Sequence, residues 1–463
     1  MKIGNEELAA ENKRKIFFVL LCAIVFGNIY AQDFGFDYED ADNPDSVNKP
    51  FAVSIGGEAS AALLGYFDEF SEGAEYTRLG DIFSGKLNFS ARTSFADGVI
   101  NLKLQTSSQP VSIDEAYVRA YLGGLEIEGG LRKLTWGKAD SFGPLDVINP
   151  LDYSELTGFS DMMNLKIARP LVHATYRAGS FTKIEGVFVP VFEPLRYAEE
   201  GRWVPAQMAR LKELQEQGLT YGFEVTVNKP DLSTLKYAQW GARFTTTVGP
   251  ADIGLQYYYG RLTRPAVTVS YTDAYINVPP IPVPVPVTVP AINFDYNPYH
   301  QIGADWAQVL FGFNIRAEAA ANITRDLSGD DGSVYNPALL WSFGFDRDLV
   351  WGINLNFQCN ESIRLMNGKI SNNPQDIEAD TNMASTQIIA ALSKKFLRDE
   401  LEFRFAALWG IEDGDFLLMP SLIWTRDALS VELSGGIFGG NKDGQFGQYR
   451  DNRFIMAALT YKF

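Results

Sequence analysis

The feature that most constrains this chain is an alternation of period two, kept up over most of its length. Side chains on a strand point to opposite faces in turn. From Phe51 to Leu63 the odd positions read Phe51, Val53, Ile55, Gly57, Ala59, Ala61 and Leu63. Between Lys86 and Phe95 one face carries Leu87, Phe89, Ala91, Thr93 and Phe95, and the other Lys86, Asn88, Ser90, Arg92 and Ser94. From Phe313 to Ile323, Ile315, Ala317, Ala319 and Ala321 oppose Asn314, Arg316, Glu318 and Asn322. The stretch from Trp351 to Asn360 sets Trp351, Ile353, Leu355, Phe357 and Cys359 against Gly352, Asn354, Asn356, Gln358 and Asn360. Segments of about ten residues, apolar on one face and polar on the other, are the pattern of membrane-barrel strands. They predict an all-β fold: a transmembrane, antiparallel, up-and-down β-barrel of about 18 strands, with 16 as the other count.

The connectors test this independently, because such barrels alternate short periplasmic turns with long external loops. Short connectors are expected at 96–98, 123–124, 178–180, 249–251, 311–313, 346–348, 397–399 and 426–428. Long ones fall near 66–80, 138–170, 193–238, 263–297, 325–336, 366–382 and 441–452. Two external connectors, near Ser107 and Asp413, are tight, and no long loop falls in a periplasmic slot. Single alternating strands occur in any half-buried sheet, but a soluble sandwich or propeller has no reason to keep that phase.

The chain closes on Arg453 to Phe463, where Ile455, Ala457, Leu459, Tyr461 and Phe463 share one apolar face. This segment resembles the terminal strand of bacterial outer-membrane β-barrel proteins of the porin-like kind. The resemblance implies a strand that serves as the assembly signal, through Ile455, Leu459, Tyr461 and Phe463, for the barrel-assembly machinery. It further implies closure against the first strand and contact with outer-membrane lipid.

Upstream, Lys13, Arg14 and Lys15 precede an apolar run from Ile16 to Phe26, and Ala31 follows. That is the pattern of a secretory signal peptide, too short to cross a bilayer as a helix. Residues 1–31 are expected to be removed, 32–50 to form a short acidic N-terminal tail, and 51–463 to form the barrel. Cys22 raises a lipoprotein reading, which Leu20 and Leu21 disfavour. Its removal leaves Cys359 alone and excludes an intramolecular disulfide. The excised segment carries four basic and three acidic residues, so the net charge passes from −17 to −18. That balance argues against a nucleic-acid partner.

On the barrel reading the early strands turn a basic wall inward, made of Lys86, Arg92, Lys103, Arg119 and Arg132. Later strands contribute the lumen acids Glu318, Glu402 and Glu432, with Arg316 and Arg404 among them. Opposed walls of charge would set a transverse field that orients polar solutes. The bland alternative is a lumen that is polar because it is wet.

The most distinctive stretch runs from Leu131 to Asp152. Its Trp136, Gly137, Asp140, Asp146, Asn149, Pro150 and Asp152 are similar to a Trp-Gly…Asp…Asn-Pro pattern in an uncharacterised family of bacterial envelope proteins. Val187 to Pro194 resembles a downstream segment of that group. The resemblance implies no reaction. Gly-Pro and Asn-Pro fix turns, and a long loop so braced is expected either to fold inward and narrow the lumen or to pack on the rim. In the first case Asp140, Asp146, Asp152 and Glu155 are constriction acids.

Pro205 opens a short helix whose Met208, Leu211 and Leu214 share a face. Residues 278–290, rich in Pro-Val pairs, predict either stiff polyproline II or an edge ribbon, since alternate residues keep their N–H groups. Neither His173 nor His300 sits in a metal or triad motif, no Gly-x-Ser-x-Gly or Walker sequence occurs, and each histidine is expected in the lumen or a loop. Asp326 to Gly332 lacks the spacing of an EF-hand. No catalysis, cofactor or metal is therefore expected. The expectation is an integral outer-membrane channel for passive diffusion of small polar solutes or ions, with mild cation preference and room for homo-oligomers. The alternatives are a selective channel for hydrophobic or organic-acid substrates and a surface adhesin displaying the long loops.

Overall fold

The computed structural model describes residues 51–68, 80–106, 110–159, 162–220, 225–276, 285–373, 375–379 and 381–463. The expected signal peptide (1–31), the acidic tail (32–50) and residues 277–284 of the proline run lie outside them.

In chain order the first strands are β1 (Ala52–Tyr66), β2 (Gly80–Arg92), β3 (Ala96–Gln105), β4 (Val111–Leu122), β5 (Leu125–Arg132), β6 (Asp152–Tyr153), β7 (Arg169–Ala178) and β8 (Thr182–Val189). Then come β9 (Arg196–Tyr197), β10 (Thr226–Asn228), β11 (Gln239–Val248), β12 (Ala251–Arg261), β13 (Ala266–Ile276), β14 (Val285–Asp295), β15 (Pro298–Leu310) and β16 (Phe313–Thr324). The last are β17 (Ala338–Asp348), β18 (Ile353–Arg364), β19 (Ala384–Phe396), β20 (Leu401–Gly410), β21 (Asp415–Arg426), β22 (Leu429–Gly440) and β23 (Phe454–Lys462). Two α-helices are described, α1 (Met162–Leu165) and α2 (Ala206–Thr220).

All of these strands except β6, β9, β10, β13 and β14 join one 18-stranded antiparallel sheet. It closes where β23 meets β1, from Glu58 opposite Lys462 to Tyr66 opposite Phe454. Closure leaves no edge unpaired, the condition a sheet must meet in hydrocarbon. Among the described residues no helix is long and apolar enough to cross a membrane; the strands do the crossing. Register carries the alternation from strand to strand. Val53 lies opposite Ala91 and Ile55 opposite Phe89 on the outward face, while Glu58 lies opposite Lys86 on the inward one. The outward row stays open to the surroundings around the barrel, through residues such as Ile55, Val118, Ile302, Phe403 and Leu459.

Two connectors sit a few residues from their expected places. Residues 96–98 open β3, and the turn lies at 93–95. Thr93 makes it, its hydroxyl accepting from the Ala96 N–H and donating to the Ala96 carbonyl, both at 3.0 Å. Phe95 is thus a turn residue and not a strand residue. Residues 346–348 remain in β17, because Asp346 and Asp348 are held across the ladder by Asn314 and Asn354. The turn moves to 349–352, where Trp351 takes a left-handed φ of 65° and leaves the strand it was assigned to.

The Pro-Val run resolves in part as a ribbon. Val285–Pro290 belongs to β14, which pairs antiparallel with β13 and parallel with β10 outside the barrel. Valine N–H groups between the prolines are what permit it, so the stiff polyproline reading fails there. Helix α2 half-buries Met208 and Leu211 but leaves Leu214 52% exposed, short of the full apolar face expected.

The core lies inside the barrel. Inward residues Leu64, Ile389, Leu408, Leu417, Phe438 and Phe454 pack on Leu156, Phe159, Leu165, Trp203, Phe446 and Tyr449 from the long loops. On the other side Leu134, Trp136 and Ile148 pack on the inward Leu171, Val187, Val189, Tyr258 and Tyr299. Long-loop residues therefore fill much of the half of the lumen next to the long loops.

Candidate functional site: a segment across the lumen

Strand β5 is only eight residues long, so the chain leaves the wall part-way up and returns at Arg169. Asn149 fastens both ends of the excursion. Its Oδ1 accepts from the Leu134 N–H at 2.8 Å, and its Nδ2 donates to the carbonyls of Arg132 and Ile167 at 3.0 and 2.8 Å. Lys166 adds a second tie, donating to the Thr135 hydroxyl at 2.7 Å and pairing with Asp146 at 2.6 Å. Trp136 packs edge-on against Tyr258, with centroids 6.4 Å apart.

Between these ties residues 138–145 reach the far wall. One carboxylate receives them: Glu318, on the inward face of β16, accepts from the N–H groups of Lys138, of Ala139 at 2.7 Å and of Leu145 at 3.2 Å. Gly137 makes this approach feasible. Its φ is +94°, and a Cβ there would stand 2.3 Å from Glu318 Oε1, so both backbone and space demand glycine. Next along the wall, Gln358 of β18 accepts from the Asp140 and Ser141 N–H groups at 3.0 and 3.2 Å. Gln256 of β12 and Gln301 of β15 each donate, at 3.0 Å, to the carbonyls of Leu145 and Pro144. Backbone groups that would be orphaned inside a barrel are in this way satisfied by the wall.

The expected constriction acids separate into different surroundings. Asp140 faces the lumen, paired with Arg316 and accepting from Asn356 at 2.7 Å, while Arg316 also pairs with Asp346 at 2.6 Å. Lys138 stands 3.8 Å from Asp252. Asp146 is turned into the segment against Lys166; burial pushes its carboxyl up, with Lys166 pulling the other way. Asp152 pairs with Arg196 at 3.0 Å. Glu155 is exposed and accepts from the Thr157 hydroxyl at 2.5 Å.

The basic groups expected on the inward face of the early strands lie there, but paired with acids. All five point inward and each meets an acid, while Arg169 on the same wall donates instead to the carbonyls of Ile148 and Val191. Lys86 pairs with Glu58 at 3.0 Å, Arg92 with Asp97 at 3.3 Å, Lys103 with Asp114 at 2.9 Å and Arg132 with Glu115 at 2.7 Å. Arg119 pairs with Glu126 at 3.0 Å and with Glu128. Cross-strand register supplied the signal that was missed, since Glu58 is opposite Lys86 and Arg119 opposite Glu128. A field between opposed walls does not arise from such pairs, and the acids do not form a facing wall either. Glu318 is covered by the inserted segment, Glu402 pairs with Arg404 at 2.7 Å, and Glu432 lies two strands from Glu402, opposite Ile423 on β21.

The two histidines part company. His173 lies inward between Glu128 at 3.0 Å and Glu185 at 3.3 Å. His300 is neither in the lumen nor in a loop: β15 turns Gln301 inward, so His300 faces outward, 2.7 Å from the Tyr257 hydroxyl. Asp326 accepts from the N–H groups of Ser328, Gly329 and Asp331. The carboxylate oxygens of Asp326 are therefore taken up by a turn.

Between segment and wall the structure leaves polar clefts. One, of about 170 Å³, is bounded by Lys86, Asn101, Asp114, Glu115, Lys133 and Asn164. A second, of about 190 Å³, lies between Phe142 and strands β17 to β21.

No protein-family model matches the chain, and no curated protein does. Among solved structures it is similar to the outer membrane channel DcaP of Acinetobacter baumannii, at 9% identity and a TM-score of 0.42, over 89% of this chain and 97% of that one. OccK11 (OpdR) of Pseudomonas aeruginosa gives 10%, 0.46, 89% and 96%, and OmpF of Salmonella typhi, in complex with daunomycin, 7%, 0.41, 89% and 97%. An antiparallel barrel closed on itself, apolar without and polar within, is the architecture of an integral outer-membrane protein, and this chain has it.

Proposed function

We propose that the protein is an outer-membrane channel through which small polar solutes or ions diffuse passively, with the segment 133–168 limiting what passes. The observation that carries this reading is the Glu318 carboxylate receiving three backbone N–H groups of that segment. An 18-stranded barrel is wide enough for an aqueous lumen, and a segment pinned across it leaves only the clefts beside it. Asp140, Asp346 and Asp252 stand with Arg316 and Lys138 at that level. Acids outnumber bases there as they do over the whole chain, which favours cations.

Purified protein in planar bilayers should give discrete conductance steps, and a reversal potential in a salt gradient of the sign for cations. A bilayer that stays sealed would overturn the channel. One observation favours a second role, adhesion: the β13–β14 ribbon stands outside the barrel with Tyr271 and Tyr275 62% and 74% exposed. Removing residues 266–295 should then leave conductance intact and abolish binding to a host surface.

A further inference from the structure

The cleft beside Phe142 differs in chemistry from the one at Lys86. Around Lys86 the charges are of both signs and neutralise one another through Glu58, Asp114 and Glu115. No lysine or arginine borders the second cleft among the described residues. Phe142 and Leu340 give it an apolar side; Asn360, Ser362, Gln387 and Asp413 give it a polar one. Phe142 takes a left-handed φ of 50°, a conformation that a bulky residue rarely adopts, and its ring is set by stacking on Phe159 at 5.6 Å. Burial together with Asp415 and Glu412 pushes the Asp413 carboxyl up. Asp415, which also borders the cleft, is fully buried, and its Oδ1 has no hydrogen-bond partner among the described residues.

A narrow space with a ring on one side and amides, hydroxyls and carboxylates on the other suits a molecule that is apolar on one face and hydroxylated at its rim. Convergent polar groups around an apolar body are how small-molecule sites fix orientation. Carboxylates without a base nearby accept hydrogen bonds from hydroxyl or ammonium groups and repel anions. Resting on the channel reading, we propose that this cleft is a binding subsite, on the long-loop side of the constriction, for a sugar-sized polyol that carries no acidic group. A solute captured there waits beside the passage, and an anionic relative does not.

The test uses purified full-length barrels in planar bilayers, with glucose, glucosamine or glucuronate added to the long-loop side. Glucose and glucosamine should interrupt the salt current in a saturable manner, and glucuronate should not. Gln387→Leu should weaken both about two- to tenfold, the loss of one or two neutral hydrogen bonds. Asp413→Asn should weaken glucosamine more than glucose, and neither variant should alter the salt conductance. Equal interruption by glucuronate, or unchanged glucose binding in Gln387→Leu with wild-type salt conductance, would overturn the subsite. Wild-type conductance with no interruption by any of the three would overturn it too, while leaving the channel standing. Absence of conductance would instead remove the channel itself.

Discussion

Along β2 to β5 the inward bases Lys86, Lys103, Arg119 and Arg132 are each met by an acid of a wall strand, whereas Glu318, Gln301 and Gln358 on β15 to β18 are met by a segment 157 to 218 residues away in sequence. The first arrangement neutralises charge locally and leaves the wall wet. The second covers a carboxylate with backbone N–H groups and makes the wall a socket. Half-exposed ion pairs contribute about 0–1 kcal/mol, while a buried acceptor of several N–H groups determines where a long segment rests. On the channel reading, the charged side of the lumen would set the solute's surroundings and the socket side the width of the passage.

Both sides depend on the seam between β23 and β1, so the largest effect is expected there. Phe463 exchanges backbone hydrogen bonds with Gly57 at 2.8 and 3.0 Å. Phe463→Asp should abolish assembly while export persists, read as loss of the compact, heat-modifiable barrel from the membrane fraction. Normal assembly would deny the strand its role as a signal.

Next comes the socket. Glu318→Ala orphans three N–H groups, at about 1–3 kcal/mol for each that stays buried. Segment 133–168 should leave the wall and single-channel conductance should rise several-fold. An unchanged conductance would show that Gln256, Gln301 and Gln358 suffice. Gly137→Ala should act the same way more weakly, since a left-handed alanine beside the carboxylate costs about 1–3 kcal/mol.

Lys86→Met on the opposite side should change stability by no more than about 1 kcal/mol and leave conductance nearly as it is. A large shift in ion selectivity would mean that the pairs do not neutralise that wall and would erase the contrast. The smallest effect lies outside the membrane. The N–H of Asp331, with those of Ser328 and Gly329 and the Ser328 hydroxyl, holds the Asp326 carboxyl below its ordinary range. A depressed acid stabilises its turn above the unfolded pKa, near 4, and loses that contribution as pH falls through the folded value. Backbone exchange in 326–336, corrected for the intrinsic rate, should rise as pH falls below about 4, and Asp326→Asn should remove that dependence.

Strand number and phase were legible because membrane strands carry their faces in the alternation, and register had only to keep it. Trp351 and Phe95 were misplaced for one reason: an apolar residue in phase with a strand also fits a turn at the lipid boundary. The basic wall misled because its partners are defined by register. Glu58 and Lys86 are 28 positions apart in the chain and opposite one another in the sheet. Asp140, Asp146, Asp152 and Glu155 stand out in the sequence as a group, but the structure separates their surroundings, because a loop's internal hydrogen bonds leave no period to read. Asn149, the fastening residue, could have been found from the Asn-Pro pair, since a side chain at such a turn commonly bonds nearby backbone.

That fastening has a consequence for how the molecule can change. With Leu134 and Ile167 tied to one side chain, the intervening stretch is a closed loop whose ends never move apart. The entropy of closing such a loop grows only slowly with its length, so residues can be added or lost between the ties without pulling on β5 or β7. The ends of the segment are in that sense insulated from β5 and β7 by an asparagine, and length can change only outside the stretch that Glu318, Gln256, Gln301 and Gln358 hold.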